Sequence, residues 1–339
     1  MLKLTRKYSQ RGEKSAVQTK NLFTIIVNYA TPKLCNACLE SIYSNHPNSI
    51  DKTLVIDNKS PDNSIDVISD YIKHNNLNDY VGLITSGKNA GFSSGNNIGI
   101  KASDSEFVLL LNSDTIVRAG AIELLVKALQ DNPQMGMASP GLEWPDGIPQ
   151  ESCFRFHKPI NELIRSAATG PITRLFKRYE VPLRVSDKVI YPEWTSFACV
   201  LIRRQVFEDI GLLDEQFFMY FEDVDFCKRA SEAGWKIIHN PAAHVVHLRG
   251  GSSPVKSRAA KKKRLPRYFY ESRTRYYFKH FGHSGLFAAN IFWHFGGLVA
   301  MVRKLVSRDY KSNICEKQWC DIWTNFFNPT APYIHPDEY

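Results

Sequence analysis

Four short apolar runs, each parted from the next by a stretch of helical character, set the pattern of the first third of the chain: residues 23–27, 54–56, 81–85 and 107–111. Runs of this kind read as strands buried on both faces, because a strand with one wet face would alternate apolar with polar residues. Thr31-Pro32 opens a helix that runs to about Ser44, with proline where its missing N–H is not needed, and Ser60-Pro61-Asp62 opens the next. Strand, helix, strand, helix at this pitch predicts an α/β chain: a mostly parallel central sheet with helices on both faces. Right-handed crossovers between parallel neighbours place functional loops beyond the carboxyl ends of the strands.

Past Pro133 the rhythm loosens. Trp144-Pro145-Asp146-Gly147 is a turn, and 159–192 reads as an irregular, partly helical insertion. A strand is expected over 194–202 and helices over 204–210 and 222–233, the second closed by Gly234. Short strands follow at 235–239 and 243–248, then a basic, aromatic, helical tail from Lys256. The first 20 residues read as a flexible basic arm. No internal repeat or low-complexity tract interrupts this order.

With 43% hydrophobic and 23% charged residues, the 339-residue chain has enough core for one large or two small globular domains. Lys plus Arg exceed Asp plus Glu by 43 to 34. That excess suits phosphate-bearing substrates, an anionic membrane or nucleic acid equally, so it selects none of them. It is concentrated in 2–20 and 256–275. The seven cysteines are scattered, and Cys35-x-x-Cys38 follows a helix start with no second pair to complete a zinc site. This usage suits a reducing cytosol. No apolar leader precedes the arm. Residues 286–302 approach a membrane span but carry Asn290, His294 and Gly296-Gly297. The near-helical spacing of Phe287, Ile291, Phe295, Leu298 and Val302 predicts an interfacial, amphipathic helix. The basic cluster at 256–267 could grip a diphosphate, dock on anionic lipid or be solvated; the helix behind it favours lipid, and no nucleic-acid module accompanies it.

Five polar clusters stand at strand ends. Val27-Asn28-Tyr29 and Asp57-Asn58 can read a base edge or a ribose, or merely cap helices. Lys88-Asn89-Ala90-Gly91-Phe92, continuing through Asn96 to Asn97, exposes backbone N–H groups ahead of a helix, as an anion or ribose site would. It is neither a dinucleotide fingerprint nor a Walker loop. Asn112-Ser113-Asp114 ends an apolar strand with a carboxylate that can hold a divalent cation against a diphosphate, or cap the next helix. Glu222-Asp223, behind the aromatic run 217–221, are costly to bury unless paired or used, and also suit a helix N-terminus. His244 and His247 are three apart on a short strand and must face opposite ways, so they cannot share one ion; His244 is expected to pack in the core.

Taken in order, Val27-Asn28-Tyr29, Asp57-Asn58, Asn89-Ala90-Gly91-Phe92, Asn112-Ser113-Asp114, Phe218-Met219-Tyr220-Phe221-Glu222-Asp223-Val224-Asp225 and His247 resemble the family 2 glycosyltransferases, most of all their bacterial rhamnosyltransferase-like members. The resemblance spans about residues 21–283. It implies a GT-A fold, with a nucleotide-binding half over 21–135 and an acceptor half over 136–255, and an inverting, cation-dependent enzyme using a nucleoside-diphosphate sugar. The implied donor contacts are Asn28, Tyr29, Asp57, Asn58, Asn89, Gly91, Phe92, Asn96, Asn112 and Ser113. Mg²⁺ or Mn²⁺ would be held by Asp114 and His247; here Asn112 replaces the first carboxylate of the family's DxD site. Asp223 is the implied base, with Glu222 second. Deoxythymidine-diphosphate rhamnose is the first donor expected, and a glycan or glycolipid in polysaccharide or cell-envelope assembly the acceptor, with the insertion 159–192 lining its side. The enzyme would sit in the cytoplasm, peripheral at the inner face of the membrane. Two other readings share these residues: a sugar nucleotidyltransferase, which needs a Gly-rich basic loop after the first strand, and a non-catalytic carbohydrate-binding scaffold of the same fold.

Overall fold

A computed structural model describes residues 21–45, 50–249, 254–307, 310 and 312–338; the basic arm expected over 1–20 lies outside them. The apolar runs are strands: β1 (Leu22–Asn28), β2 (Lys52–Asp57), β3 (Val81–Thr85) and β4 (Phe107–Asn112). Between them lie α1 (Pro32–Asn45), α2 (Ser64–His74) and α3 (Gly91–Lys101). Then come β5 (Thr115–Val117), α4 (Ala121–Gln130), β6 (Met135–Glu143), β7 (Cys153–Phe154), α5 (Pro159–Ala167) and α6 (Gly170–Leu175). The chain returns through β8 (Trp194–Thr195), β9 (Cys199–Arg203), α7 (Arg204–Ile210), α8 (Glu222–Glu232) and β10 (Lys236–His247). It ends in α9 (Val255–Ala260), α10 (Arg267–Val306) and α11 (Gln318–Asp321).

The main sheet runs β3-β2-β1-β4-β9-β6-β10-β5. β1, β2, β3 and β4 are mutually parallel, β6 pairs β10 parallel, and β9 and β5 pair antiparallel with their neighbours. Alternate residues feed two cores. Leu22, Ile26, Leu109 and Leu111 pack on α1, α2 and α4, whereas Phe23, Ile25, Val108 and Leu110 face α3, α7, α8 and the first half of α10. Both faces are covered, so the sequence showed unbroken apolar runs. Gly95 and Gly99 let α3 approach β1: a Cβ there would meet the Val27 and Ile25 side chains at 2.9 and 2.7 Å.

Three expectations need correction. The strand over 194–202 is broken at residues 196–198, where the Ala198 carbonyl accepts from the Asn112 amide at 2.9 Å and the backbone turns to wall a cleft. The two strands at 235–239 and 243–248 are one, irregular between Asn240 and His244, where Pro241 has no N–H to give the ladder. His244 is more than half exposed and pairs with Glu143 at 3.1 Å rather than packing in the core.

The first turn of α8 is fixed to α10 by Asp225. This carboxylate is fully buried and bonded to Arg229 (2.9 Å), Lys279 (2.8 Å) and His280 (2.9 Å). Burial pushes its pKa up, but the His280 hydrogen bond and the neighbouring cations outweigh it and hold it near 2. Asp225→Ala would leave those cations facing a void, so it should cost about 3–5 kcal/mol. The test is denaturant unfolding; a midpoint equal to wild type would show that the pair network contributes nothing.

α10 bends at Gly282 (φ 67). Before the bend Tyr276 and Tyr277 are fully buried. After it Leu286, Ala289, Trp293 and Ala300 face inward, while Phe287, Phe295, Leu298, Met301, Val302, Leu305 and Val306 stay exposed. The buried side rests on α5, where Arg273 bonds Glu162 at 3.4 Å and Gly296 leaves no room for a Cβ against Ser166.

Candidate active site

The carboxyl ends of β1 and β4, the loops after β2 and β3, the start of α8 and the end of β10 enclose one cleft of about 550 Å³. Of the residues expected at a donor site, Tyr29, Asn58, Asn89, Gly91, Phe92, Asn112 and Ser113 line it. Asn28, Asp57 and Asn96 do not: they are buried and turned inward. Asn28 donates to Asp57 at 3.0 Å and accepts from Thr31 at 3.0 Å, while Asp57 also accepts from the Ser60 amide at 2.9 Å. Asn96 donates to the Phe92 carbonyl within its own helix. These three shape the floor.

Asn58 connects that floor to the third cluster. Its amide donates to Asn89 Oδ1 (2.9 Å) and the Gly91 carbonyl (3.0 Å), and its oxygen accepts from Ser86 (3.1 Å). Gly91 has φ +85, and a Cβ there would lie 2.0 Å from the Phe218 carbonyl, which accepts from the Phe92 amide at 2.9 Å. Only glycine allows the 89–92 loop to meet the 218 loop so closely. Asn97, the last residue of the same cluster, fastens the helix to Leu213 and Glu215.

The cation candidates come together. β10 pairs antiparallel with β5, setting His247 opposite Thr115. That register brings His247 Nε2 to 3.5 Å from Asp114 Oδ1. Both residues are buried, and His247 Nδ1 has no hydrogen-bond partner. Since β5 follows Asp114 directly, that residue is not a helix cap. Gln150 supports the strand by donating to the His247 carbonyl at 2.8 Å. One carboxylate, one imidazole and the nearby Asn112 amide are a donor set that Mg²⁺ or Mn²⁺ accepts when phosphate and water complete the shell. Among the described residues no group of three His, Cys, Asp or Glu could hold an ion unaided. Cys35 and Cys38 are fully buried, and burial raises both thiols, Cys38 to about 12.

Across the cleft, Tyr220 and Phe221 both adopt left-handed backbone (φ 72 and 68). Such residues cost about 1–2 kcal/mol each, and here they turn Glu222 and Asp223 into the cleft at the start of α8. Burial, then the neighbouring Asp223, raise the Glu222 carboxyl well above the carboxylate range, and its Oε2 lacks a partner. Burial raises Asp223 too, to about 6, against the pull of the Val224 and Phe197 amides and the charge of Lys256. Of the two, Glu222 is pushed further from the carboxylate range, so Asp223 is the member that gives up its proton more readily.

Four features of the cleft escaped the sequence reading or were left open by it: the 196–198 wall, Lys256 and Arg258, Tyr268, and the pair Pro336 and Asp337. The insertion 159–192 contributes no lining residue; its helix α5 supports α10 instead.

Comparison with known proteins agrees with this architecture. Residues 24–143 match the model for glycosyl transferase family 2. An N-acetylglucosaminyl-diphospho-decaprenol L-rhamnosyltransferase of Mycobacterium tuberculosis is 28% identical over 247 residues, 67% of this chain and 76% of the relative. A low-salt glycan biosynthesis hexosyltransferase of Haloferax volcanii is 29% identical over 231 residues, 67% of each chain. A dTDP-rhamnosyl transferase of Shigella flexneri is 23% identical over 236 residues, 69% and 71% of the two. A solved mannosyltransferase from Pyrobaculum calidifontis, in complex with GDP-Man and Mn²⁺, superposes with TM-score 0.55 over 88% of this chain and 80% of that one, at 14% identity. The likeness to that structure speaks for the fold, which is GT-A. Residues 24–143 thus carry a family 2 glycosyltransferase domain on a GT-A fold, and rhamnosyltransferases are among the chain's relatives.

Proposed function

We propose that the chain moves a sugar, rhamnose from its deoxythymidine-diphosphate donor in first place, onto a hydroxyl of a growing polysaccharide or lipid-linked glycan. The observation that carries this reading is one cleft with Asp114 and His247 on one side and Glu222 and Asp223 on the other. The relatives named as rhamnosyltransferases support the choice of sugar.

In this mechanism Asp223 takes the proton from the acceptor hydroxyl as oxygen attacks the anomeric carbon from the face opposite the diphosphate. Glu222, pushed further toward its protonated form, does not compete for that proton. Lys256 and Arg258 lie along the cleft and lower the cost of the leaving diphosphate's charge. Asp114 and His247 would hold a divalent cation, which when bound supplies further charge stabilisation at the diphosphate. Tyr29, Asn58, Asn89 and Phe92 offer the nucleoside stacking and amide contacts, on the floor that Asn28, Asp57 and Asn96 keep rigid. A thermal-shift screen of nucleotide sugars with and without Mn²⁺ tests the reading: a ligand at about 100 times its Kd should add about 2.7 kcal/mol. No stabilisation by any nucleotide sugar would refute it.

The same reading places the enzyme at an anionic membrane surface on the cytoplasmic side. α10 is long and apolar enough to cross a bilayer by composition, yet one face is covered by its own chain and the other is apolar and open. A helix divided in this way suits lying in the interface. Arg303 and Lys304 stand in its last turn. The chain should co-sediment with phosphatidylglycerol vesicles, and Leu298→Asp with Val302→Asp should abolish that. Equal binding to neutral phosphatidylcholine, or none to either vesicle, would rule the surface out.

A further inference from the structure

One segment of the cleft belongs to none of the motifs. Residues 331–338 cross the molecule from α10 to the 89–92 loop. They are tethered behind by Arg275, whose guanidinium donates to the Thr330 and Ala331 carbonyls (3.1 and 2.8 Å), and by Glu271, which accepts from the Ile334 amide at 3.3 Å. Tyr333 packs at a tilt against Phe218 with ring centres 5.2 Å apart, and its hydroxyl donates to the Ala90 carbonyl at 3.4 Å. His335 meets the same Phe218 ring edge-on at 5.6 Å. Its Nε2 lies 2.8 Å from the Asn89 carbonyl, which can only accept, so Nε2 carries the proton; Nδ1 then accepts from the Asp337 amide at 3.2 Å.

The consequence for the cleft is directional. Asn89 is gripped twice, by Asn58 through its side chain and by His335 through its carbonyl. Immediately beyond His335, Pro336 and Asp337 line the cleft; the Asp337 carboxylate lies 3.4 Å from His335 Nδ1 yet is largely open to solvent, and its backbone amide is pinned. A carboxylate in the path of a diphosphate would oppose it. Asp337 instead adjoins His335, which holds Asn89, whereas the cation Lys256 attends Asp114 and Asp223. An acceptor-only group is what ribose hydroxyls or a base N–H require.

We propose that the 331–338 segment is part of the donor site, with His335 positioning the Asn89 loop and Asp337 accepting a hydrogen bond from the nucleoside of a nucleoside diphosphate. This rests on the nucleotide-sugar reading above and adds a nucleoside contact that none of the five clusters contains.

The experiment uses the full chain and calorimetric titration with dTDP and with UDP in the presence of Mn²⁺, and with inorganic pyrophosphate as a ligand lacking the nucleoside. Loss of one charge-assisted hydrogen bond predicts that Asp337→Ala weakens the preferred nucleoside diphosphate about tenfold. Pyrophosphate binding and kcat at saturating donor should stay within about twofold. His335→Ala should weaken the nucleoside diphosphate similarly, and His335→Gln, which can still donate to the Asn89 carbonyl, should restore most of it. A purely structural role would move pyrophosphate binding and the melting temperature together with the nucleotide. The proposal is overturned if both alanine variants bind the nucleoside diphosphate like wild type, or if pyrophosphate weakens in parallel. Wild type binding pyrophosphate but neither nucleotide would bring down the nucleotide-sugar reading itself, and this inference with it.

Discussion

Asp223→Asn is expected to lower kcat by roughly 10²–10⁴ while donor affinity stays within about twofold. The substitution preserves shape and removes basicity. Asparagine can still accept from the Val224 amide that bonds Asp223 at 2.8 Å, so the start of α8 should hold. The neighbouring carboxylate should behave differently. Burial pushes the Glu222 carboxyl toward its protonated form, which Gln resembles, so Glu222→Gln should cost much less. The pH profile gives the sign independently. A base works only when ionised, and burial sets Asp223 near 6, so kcat should be level at neutral pH and fall as pH drops through about 6. If Glu222→Gln is the dead variant and Asp223→Asn is active, the two roles exchange. If both turn over normally, the base lies elsewhere.

Asp114→Ala should remove transfer activity and weaken cation-dependent donor binding, because it takes away the sole carboxylate facing His247 in this pair. Asn112 and His247 would remain, both neutral as ligands, leaving little charge to attract a divalent ion. Raising Mn²⁺ should rescue His247→Gln better than Asp114→Ala, since the carboxylate carries the charge. The effect should be specific to cation: donor binding measured in EDTA should differ little between wild type and Asp114→Ala. Near wild-type turnover of Asp114→Ala at saturating Mg²⁺ would remove this residue from the cation site.

Much of the fold could be read from residues because both sheet faces are covered. That burial produces unbroken runs such as Leu109-Leu110-Leu111, and β1 to β4 follow. β5 was illegible: three residues carry no pattern of their own, and they form a strand only because the edge of β10 lies beside them. His244 misled for a related reason. An apolar strand suggests a buried histidine, but alternation sends position 244 outward when 247 points in, where Glu143 meets it. In the site, the residue types were legible and their directions were not. Asn28 and Asp57 look like ligand readers by type; Thr31 and Ser60, close in sequence but placed by the turn, draw them inward. The meeting of Asp114 with His247 and of His335 with Asn89 depends on contacts between distant parts of the chain. A single sequence offers no local signal for either, beyond the ordered motifs that carried the resemblance.

The central claim is a single in-line displacement with Asp223 as base. Its most direct test is the configuration of the transferred sugar, read by NMR from anomeric couplings of the product against those of the nucleotide-sugar donor. This mechanism predicts a glycosidic bond of the opposite anomeric configuration to the donor. Retention of the donor configuration would require an intermediate on the other face and would contradict it.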